Sequence, residues 1–285
     1  MWFICFLFYV DCGLQNGKDG YNMAELKGAE LIKENTLRRL TVRIGALEKE
    51  GKSTWALTAP PDIAYFDLNN RAEHVLNRFV GRGIYHYKYN KLLARNQKEW
   101  QGIWDKFQKD FAEAVSSKKI RSLVIDTDND LWEVRRLAQW GRESSVPDQY
   151  GALNKDFRNL HEALLSADKN LVVITEKKKK YMKKVVTTKT GAKRDMGEWD
   201  GTYEMGGWSG TGFKVQTNLE IEFDKVQKTF RTRVINCGLN PFLVNREYEG
   251  AFCNFPCLAV DVFPDTDPNY WGYDEFVAKL GEEGE

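Results

Sequence analysis

The chain has 285 residues, 42% hydrophobic and 29% charged, enough to bury a sizeable core as one large or two modest domains. Its 42 Lys and Arg nearly balance 41 Asp and Glu, so the net charge of +1 singles out no polyanionic partner, and only local patches can do so. Five scattered cysteines fit a reducing cytoplasm better than a disulfide framework, and Cys253-x3-Cys257 lacks the second pair or nearby histidine that a zinc site needs.

Residues 1–10, MWFICFLFYV, are an unbroken apolar run that stops at Asp11. A membrane span needs ~20 such residues. The run also lacks the basic flank and small-residue cleavage site of a secretion signal. Residues 1–22 therefore read as a dispensable extension upstream of a start at Met23, with a weak membrane-surface anchor as the alternative. Residues 24–39 have an amphipathic helical pattern, and Leu40–Ile44 switches to a buried strand.

A polar loop, Ala46-Leu47-Glu48-Lys49-Glu50, then leads into Gly51-Lys52-Ser53-Thr54 and a short helix. A loop feeding a helix N-terminus offers unpaired backbone N–H groups to a phosphate. Gly51 lets the backbone close around it, Lys52 reaches the β- and γ-phosphates, and the Ser53 hydroxyl can hold Mg²⁺. The P-loop pattern places a glycine five residues before Gly51. Here that place is Ala46, with Gly45 one residue early.

Asp62–Asp67 (DIAYFD) reads as a second buried strand, followed by a polar turn and a short helix through Phe79, and Ile84–Tyr89 as a third strand. Residues 97–117 carry Trp100, Trp104, Phe107, Phe111 and Ala114 at helical spacing, a core-facing stripe. Ser122–Ile125 is an apolar strand ending at Asp126, and a strand-end aspartate suits Mg²⁺. Asp128 adds a second carboxylate two residues on. Helices are expected over 131–142 and 152–167, and Leu171–Thr175 (LVVIT) as the next buried strand. Apolar strands alternating with helices make an α/β fold with a mostly parallel sheet.

From Lys177 to Arg194 there are nine Lys/Arg and no acid, a basic hairpin turning near Thr190-Gly191. It is either a solvated hairpin or a phosphate-binding one, and Tyr181 could stack on a base. A glycine-rich loop (197–212) then leads into two alternating antiparallel strands, 213–223 and 229–236, and a loop-rich stretch over 238–271. Lys214 is either a strand-edge lysine or a cationic finger reaching a neighbouring subunit. A short helix and an acidic tail close the chain.

Taken together, GALEKEGKSTWALTAPPDIAYFDLN, SLVIDTDNDLWEVRRLAQWGR, PDQYGALNKDFRNL and NLVVITEKKK resemble the phage-encoded RecA-like P-loop ATPases, an AAA-type nucleotide-binding family, over residues 38–235. The resemblance implies a RecA-like core over 23–237, with 238–285 as a loop-rich C-terminal segment packed on it or trailing it. It implies ATP and Mg²⁺ as cofactors and hydrolysis in phage DNA recombination, repair or replication. It also implies single-stranded DNA as partner, a homo-oligomeric ring or filament, and a place in the host cytoplasm. Lys52 and Ser53 carry over as phosphate and Mg²⁺ contacts, and Asp126 as the metal-side carboxylate. Where such proteins place a glutamate base, this chain has Asn69, an amide that cannot take a proton from water. Asp67, Glu73 or Asp128 could orient the water instead, or the protein binds nucleotide without turnover. Thr175 and Glu176 become γ-phosphate sensor candidates. Lys177, Lys178, Lys179, Lys180, Tyr181, Lys183, Lys184, Lys193 and Arg194 become the nucleic-acid contacts. A small-molecule kinase on the same scaffold is a third reading. It is disfavoured by a basic element rich in lysine rather than in the arginine that clamps phosphates.

Overall fold

Strands buried at every residue need cover on both faces, and β1 (Thr41–Ala46), β2 (Ile63–Asp67) and β4 (Ser122–Asp126) obtain it. The computed structural model describes residues 39–141, 150–187, 193–274 and 277, without the side chains of residues 165 and 183–196. Expectations for residues 1–38, the turn at Thr190-Gly191 and the acidic tail fall outside the described residues. The described residues belong to one compact unit, Leu37–Glu285.

The sheet runs in the order β3-β2-β4-β5-β1-β7-β8-β9. Here β3 is Ile84–Lys88, β5 Asn170–Thr187, β7 Thr217–Asp224, β8 Thr229–Cys237 and β9 Glu247–Glu249. Pairings from β3 to β7 are parallel, and β8 and β9 add antiparallel edges. One strand, β5, lies between β1 and β4. Register sets Ile44 and Asp126 level, both opposite Ile174, with Asp67 beside Asp126.

Side-chain alternation along these strands divides the core in two. Val42, Ile44, Ala46, Tyr65, Val124 and Ile174 face α1 (Lys52–Ala56) and α7 (Phe255–Val262). Phe66, Leu123, Ile125 and Val173 face the other way, against α3 (Gln97–Ser116), α4 (Asp128–Trp140) and α5 (Tyr150–Ser166). The stripe on α3 is core, as its spacing indicates: Trp104, Phe107 and Phe111 are buried. Each large side chain so buried is worth ~1.5–3 kcal/mol. Arg82, itself buried, donates to the carbonyls of Leu57, Thr58 and Ala59 just past α1 and pairs with Asp274, so it ties the end of α1 to the C-terminal segment.

Four boundaries differ from the sequence reading. The glycine-rich stretch is not all loop, because residues 197–205 belong to β6 (Lys193–Met205), whose backbone is satisfied by pairing with β5. The strand expected from Phe213 begins at Thr217, after a short helix α6 (Thr211–Lys214) that ends on Lys214. The helix expected from Leu131 starts at Asp128, because the Thr127 hydroxyl accepts from Asp130 N–H and caps it. Within 238–271, α7 forms because Asn254 caps it and Pro256 suits its first turn.

Candidate functional site

At the carboxyl end of β1 the chain turns tightly before α1. Lys49 (φ 64) and Gly51 (φ 79) adopt left-handed backbone, and the Glu50 carboxylate accepts from Leu47 N–H at 2.7 Å. Lys52 folds back into this loop, its Nζ donating to the carbonyls of Ala46 (3.1 Å) and Leu47 (2.5 Å). Burial holds its ammonium below the usual lysine range, against the opposing pull of Glu176, Asp126, Glu50 and Glu48. Gly45 serves the sheet instead: a side chain there would run into Met205 on β6.

Ser53 opens onto the neighbouring strands, where its Oγ donates to Asp126 Oδ2 at 2.8 Å. The Tyr65 hydroxyl donates a short hydrogen bond to the same oxygen. Asp126 is buried, and desolvation pushes its carboxyl up to about 6 even though the Tyr65 and Ser53 hydrogen bonds and Lys52 oppose it. Next to it, Asp67 is fully buried. Its Oδ2 meets His86 Nε2 at 3.0 Å, while its Oδ1 has no hydrogen-bond partner. A carboxylate oxygen buried without a partner is costly, and a catalytic role, a water or a bound cation accounts for such a group. Two buried carboxylates beside a serine hydroxyl form a hard-oxygen set that fits Mg²⁺, which takes one or two carboxylates and completes its shell with phosphates and water.

Alternation explains which expected residues join this cluster. Lys52, Ser53, Asp126 and Asp67 come together on the α1 side of the sheet, and Glu176 acts electrostatically on Lys52 from the same side. Thr175 does not join: it points to the opposite face, where its hydroxyl accepts from Arg43 Nε at 3.2 Å. Asp128 does not join either. It is buried on that other face, accepting from Trp208 N–H (3.0 Å) and the Thr211 hydroxyl (2.9 Å), so it anchors the return of β6 rather than a water. Glu73 is exposed and ion-paired to Lys88. Asn69 lies past β2, its amide oxygen accepting from Arg71 N–H. Lys214 ends α6, where its charge helps hold the buried His161 ring down to about 4, burial being the larger cause. Tyr65 and His86 were missed by sequence reasoning. They stand opposite each other across β2 and β3, a register that no local pattern reveals.

The basic hairpin is β5 paired with β6, and β5 is a single strand running from the sheet core into it. Its lysines are not all free. Lys177 is paired with Glu220 in a nearly buried contact, Lys178 with Glu204 (3.3 Å) and Lys180 with Asp200 (3.6 Å). One face of the ribbon carries Lys179 over the Trp199 ring (4.9 Å), Trp199 against Tyr203 (5.8 Å), and Tyr181 opposite Trp199. Tyr181 is 61% exposed, Trp199 43% and Tyr203 42%. The side chains of Lys183, Lys184, Lys193 and Arg194 lie outside the described ones. At the hairpin root the Asn129 amide accepts from Glu176 N–H at 2.9 Å. The four residues Asp126–Asn129 thus touch both the Lys52 cluster and the hairpin.

Residues 39–199 match the sequence profile of the AAA domain family. No curated protein matches the chain. Among solved structures, the chain is similar to the crystal structure of the RadB recombinase, with 12% identity and a TM-score of 0.44 over 74% of this chain and 86% of that one. Among the described residues, no helix is long and apolar enough to cross a membrane.

Proposed function

Because this chain belongs to the AAA domain family, its match spanning more than half of its length, we propose that it binds ATP with Mg²⁺ at the Lys52–Ser53–Asp126–Asp67 cluster and hydrolyses it. The observation that carries this reading is the convergence of four side chains from three strand ends, with Ser53 hydrogen-bonded to Asp126 and Asp67 Oδ1 left unpartnered. Backbone N–H groups of residues 47–54 cradle the phosphates, and Lys52 leaves its own loop carbonyls to pair with the β- and γ-oxygens. Ser53 and Asp126 hold Mg²⁺, which when bound neutralises charge building on the phosphate oxygens. Asp67, backed by His86, orients and deprotonates the attacking water in place of the glutamate that Asn69 replaces. Glu176 senses the γ-phosphate from the end of the sheet portion of β5.

The second half of the reading is nucleic acid. Single-stranded DNA lies along the β5–β6 ribbon, its backbone drawn by the lysines and its bases stacked on Tyr181, Trp199 and Tyr203. Lys177 is left out, since Glu220 already neutralises it. Occupancy of the nucleotide site reaches the ribbon through Asp126–Asn129. This activity suits phage DNA recombination, repair or replication, with copies assembled in a ring or filament. A nucleotide-dependent binding module without turnover is the second reading, favoured by Asn69.

ATP hydrolysis by the purified protein, with and without single-stranded DNA at two salt concentrations, tests both halves. Turnover that rises with DNA, more strongly at low salt, is expected. ATP binding without phosphate release selects the second reading, and DNA without effect removes the nucleic-acid half.

A further inference from the structure

Tyr65 is fully buried on β2, yet it carries a hydroxyl where phenylalanine would fill the same space. A hydroxyl out of reach of water is costly unless it is hydrogen-bonded. This one spends its proton on Asp126 Oδ2. Burial, and after it the Asp126 charge, pushes the phenol well above the usual tyrosine range, so the group stays a donor. The ring belongs to the apolar core on the α1 side and meets His86 edge-on, with the ring centroids 5.9 Å apart. Packing accounts for the ring but not for the hydroxyl.

What the hydroxyl changes is how much of Asp126 is left to offer. A carboxylate has about four lone-pair sites, two on each oxygen. Ser53 Oγ and Tyr65 Oη both donate to Oδ2, which takes up both of its sites. Among the described residues nothing donates to Oδ1. Asp67 repeats the arrangement. Its Oδ2 meets His86 Nε2 (3.0 Å) and accepts from Ala72 N–H (3.4 Å), and its Oδ1 has no partner. Each carboxylate therefore has one oxygen to give a cation, not two. Divalent cations differ in how they use that. Ca²⁺ takes about 6–8 oxygens, often both from one carboxylate, at ~2.3–2.6 Å. Mg²⁺ demands a near-octahedral shell at ~2.0–2.1 Å and completes it with water and phosphate. Single-oxygen carboxylates suit the smaller ion and deny the larger one its two-oxygen contact.

We propose that Tyr65 is a positioning residue that sets the choice of cation: by occupying Oδ2 of Asp126 it restricts that carboxylate to one oxygen and makes the site select Mg²⁺ over Ca²⁺. Ser53 alone does not achieve this, since a single hydroxyl leaves a lone pair on Oδ2 open. The proposal rests on the nucleotide-site reading above and adds to it the residue that discriminates between cations.

The test is calorimetric binding of a non-hydrolysable ATP analogue to wild type and Tyr65→Phe, with saturating Mg²⁺, with saturating Ca²⁺ and with neither. Wild type should bind at least about 10-fold more tightly with Mg²⁺ than with Ca²⁺. Tyr65→Phe keeps the ring and loses only the hydroxyl. It should shrink that preference by about 10-fold, through tighter binding with Ca²⁺. Equal wild-type affinity with the two cations overturns the proposal before any variant is made. So does a Tyr65→Phe whose preference is unchanged, or one that loses affinity equally with both cations, the mark of a purely structural role. Wild type that binds the analogue as well with neither cation, or not at all, fails the nucleotide-site reading itself, and the proposal falls with it.

Discussion

Replacing Asp126 with asparagine should separate the stability of the folded protein from its use. Asp126 is buried between Ser53 and Tyr65, and its carboxyl is pushed up from an ordinary 3.8 to about 6, mainly by desolvation. A carboxyl raised on folding holds its proton more tightly folded than unfolded. Its stabilising contribution is complete below about pH 3.8 and is lost as pH rises through about 6. A shift of about two units corresponds to ~3 kcal/mol. Asparagine cannot ionise, yet its amide oxygen can take the place of Oδ2 and accept from both the Tyr65 and Ser53 hydroxyls. Between about pH 3.5 and 7.5, the stability of Asp126→Asn should therefore rise relative to wild type by ~3 kcal/mol. Asp128, also raised to about 6, titrates in both proteins and cancels in the comparison. The assay is urea unfolding followed by circular dichroism at several pH values, without Mg²⁺ or nucleotide. A difference that stays flat with pH, or that grows in favour of wild type, refutes the reasoning.

Three further outcomes follow from the same geometry. Asp67→Asn should lower ATP turnover by about 10²–10⁴-fold while ATP affinity changes little, and a comparable loss in affinity would remove Asp67 from the role of base. His161, held down to about 4 by burial and by Lys214, contributes stability that is present above about pH 6.5 and lost as pH falls through about 4, ~3 kcal/mol in all. In His161→Gln that acid sensitivity should disappear from the unfolding curves. Arg82→Ala strips the carbonyls past α1 of their donor and removes the ion pair to Asp274, which is half-exposed and keeps the Val277 N–H. It should cost ~1–3 kcal/mol by denaturant unfolding, the penalty of leaving buried carbonyls without a donor.

What the sequence made legible was local. Gly51-Lys52-Ser53 and Asp126 stand at strand ends that composition alone marks, and both fall in one cluster. What it hid was register and pairing. Thr175 and Glu176 are neighbours in the chain, but which of them faces Lys52 depends on how β5 sits against β1. Asp128 follows Asp126 by two residues, yet it is the first residue of α4, where strand alternation no longer applies. His86 reaches Asp67 only because β3 pairs with β2. The basic run likewise ends at Arg194, early in the strand whose later residues Asp200 and Glu204 neutralise two of its lysines. The aromatic face of the ribbon was hidden for the same reason: Trp199 and Tyr203 lie in what reads as a glycine-rich loop.

Calorimetric titration of ATP into wild type and Lys52→Ala, with and without Mg²⁺, tests the central claim most directly. Tight binding that needs Mg²⁺ and falls by about 100-fold or more without the Lys52 ammonium is the predicted result. Equal affinity in the two proteins, or binding indifferent to Mg²⁺, would contradict it.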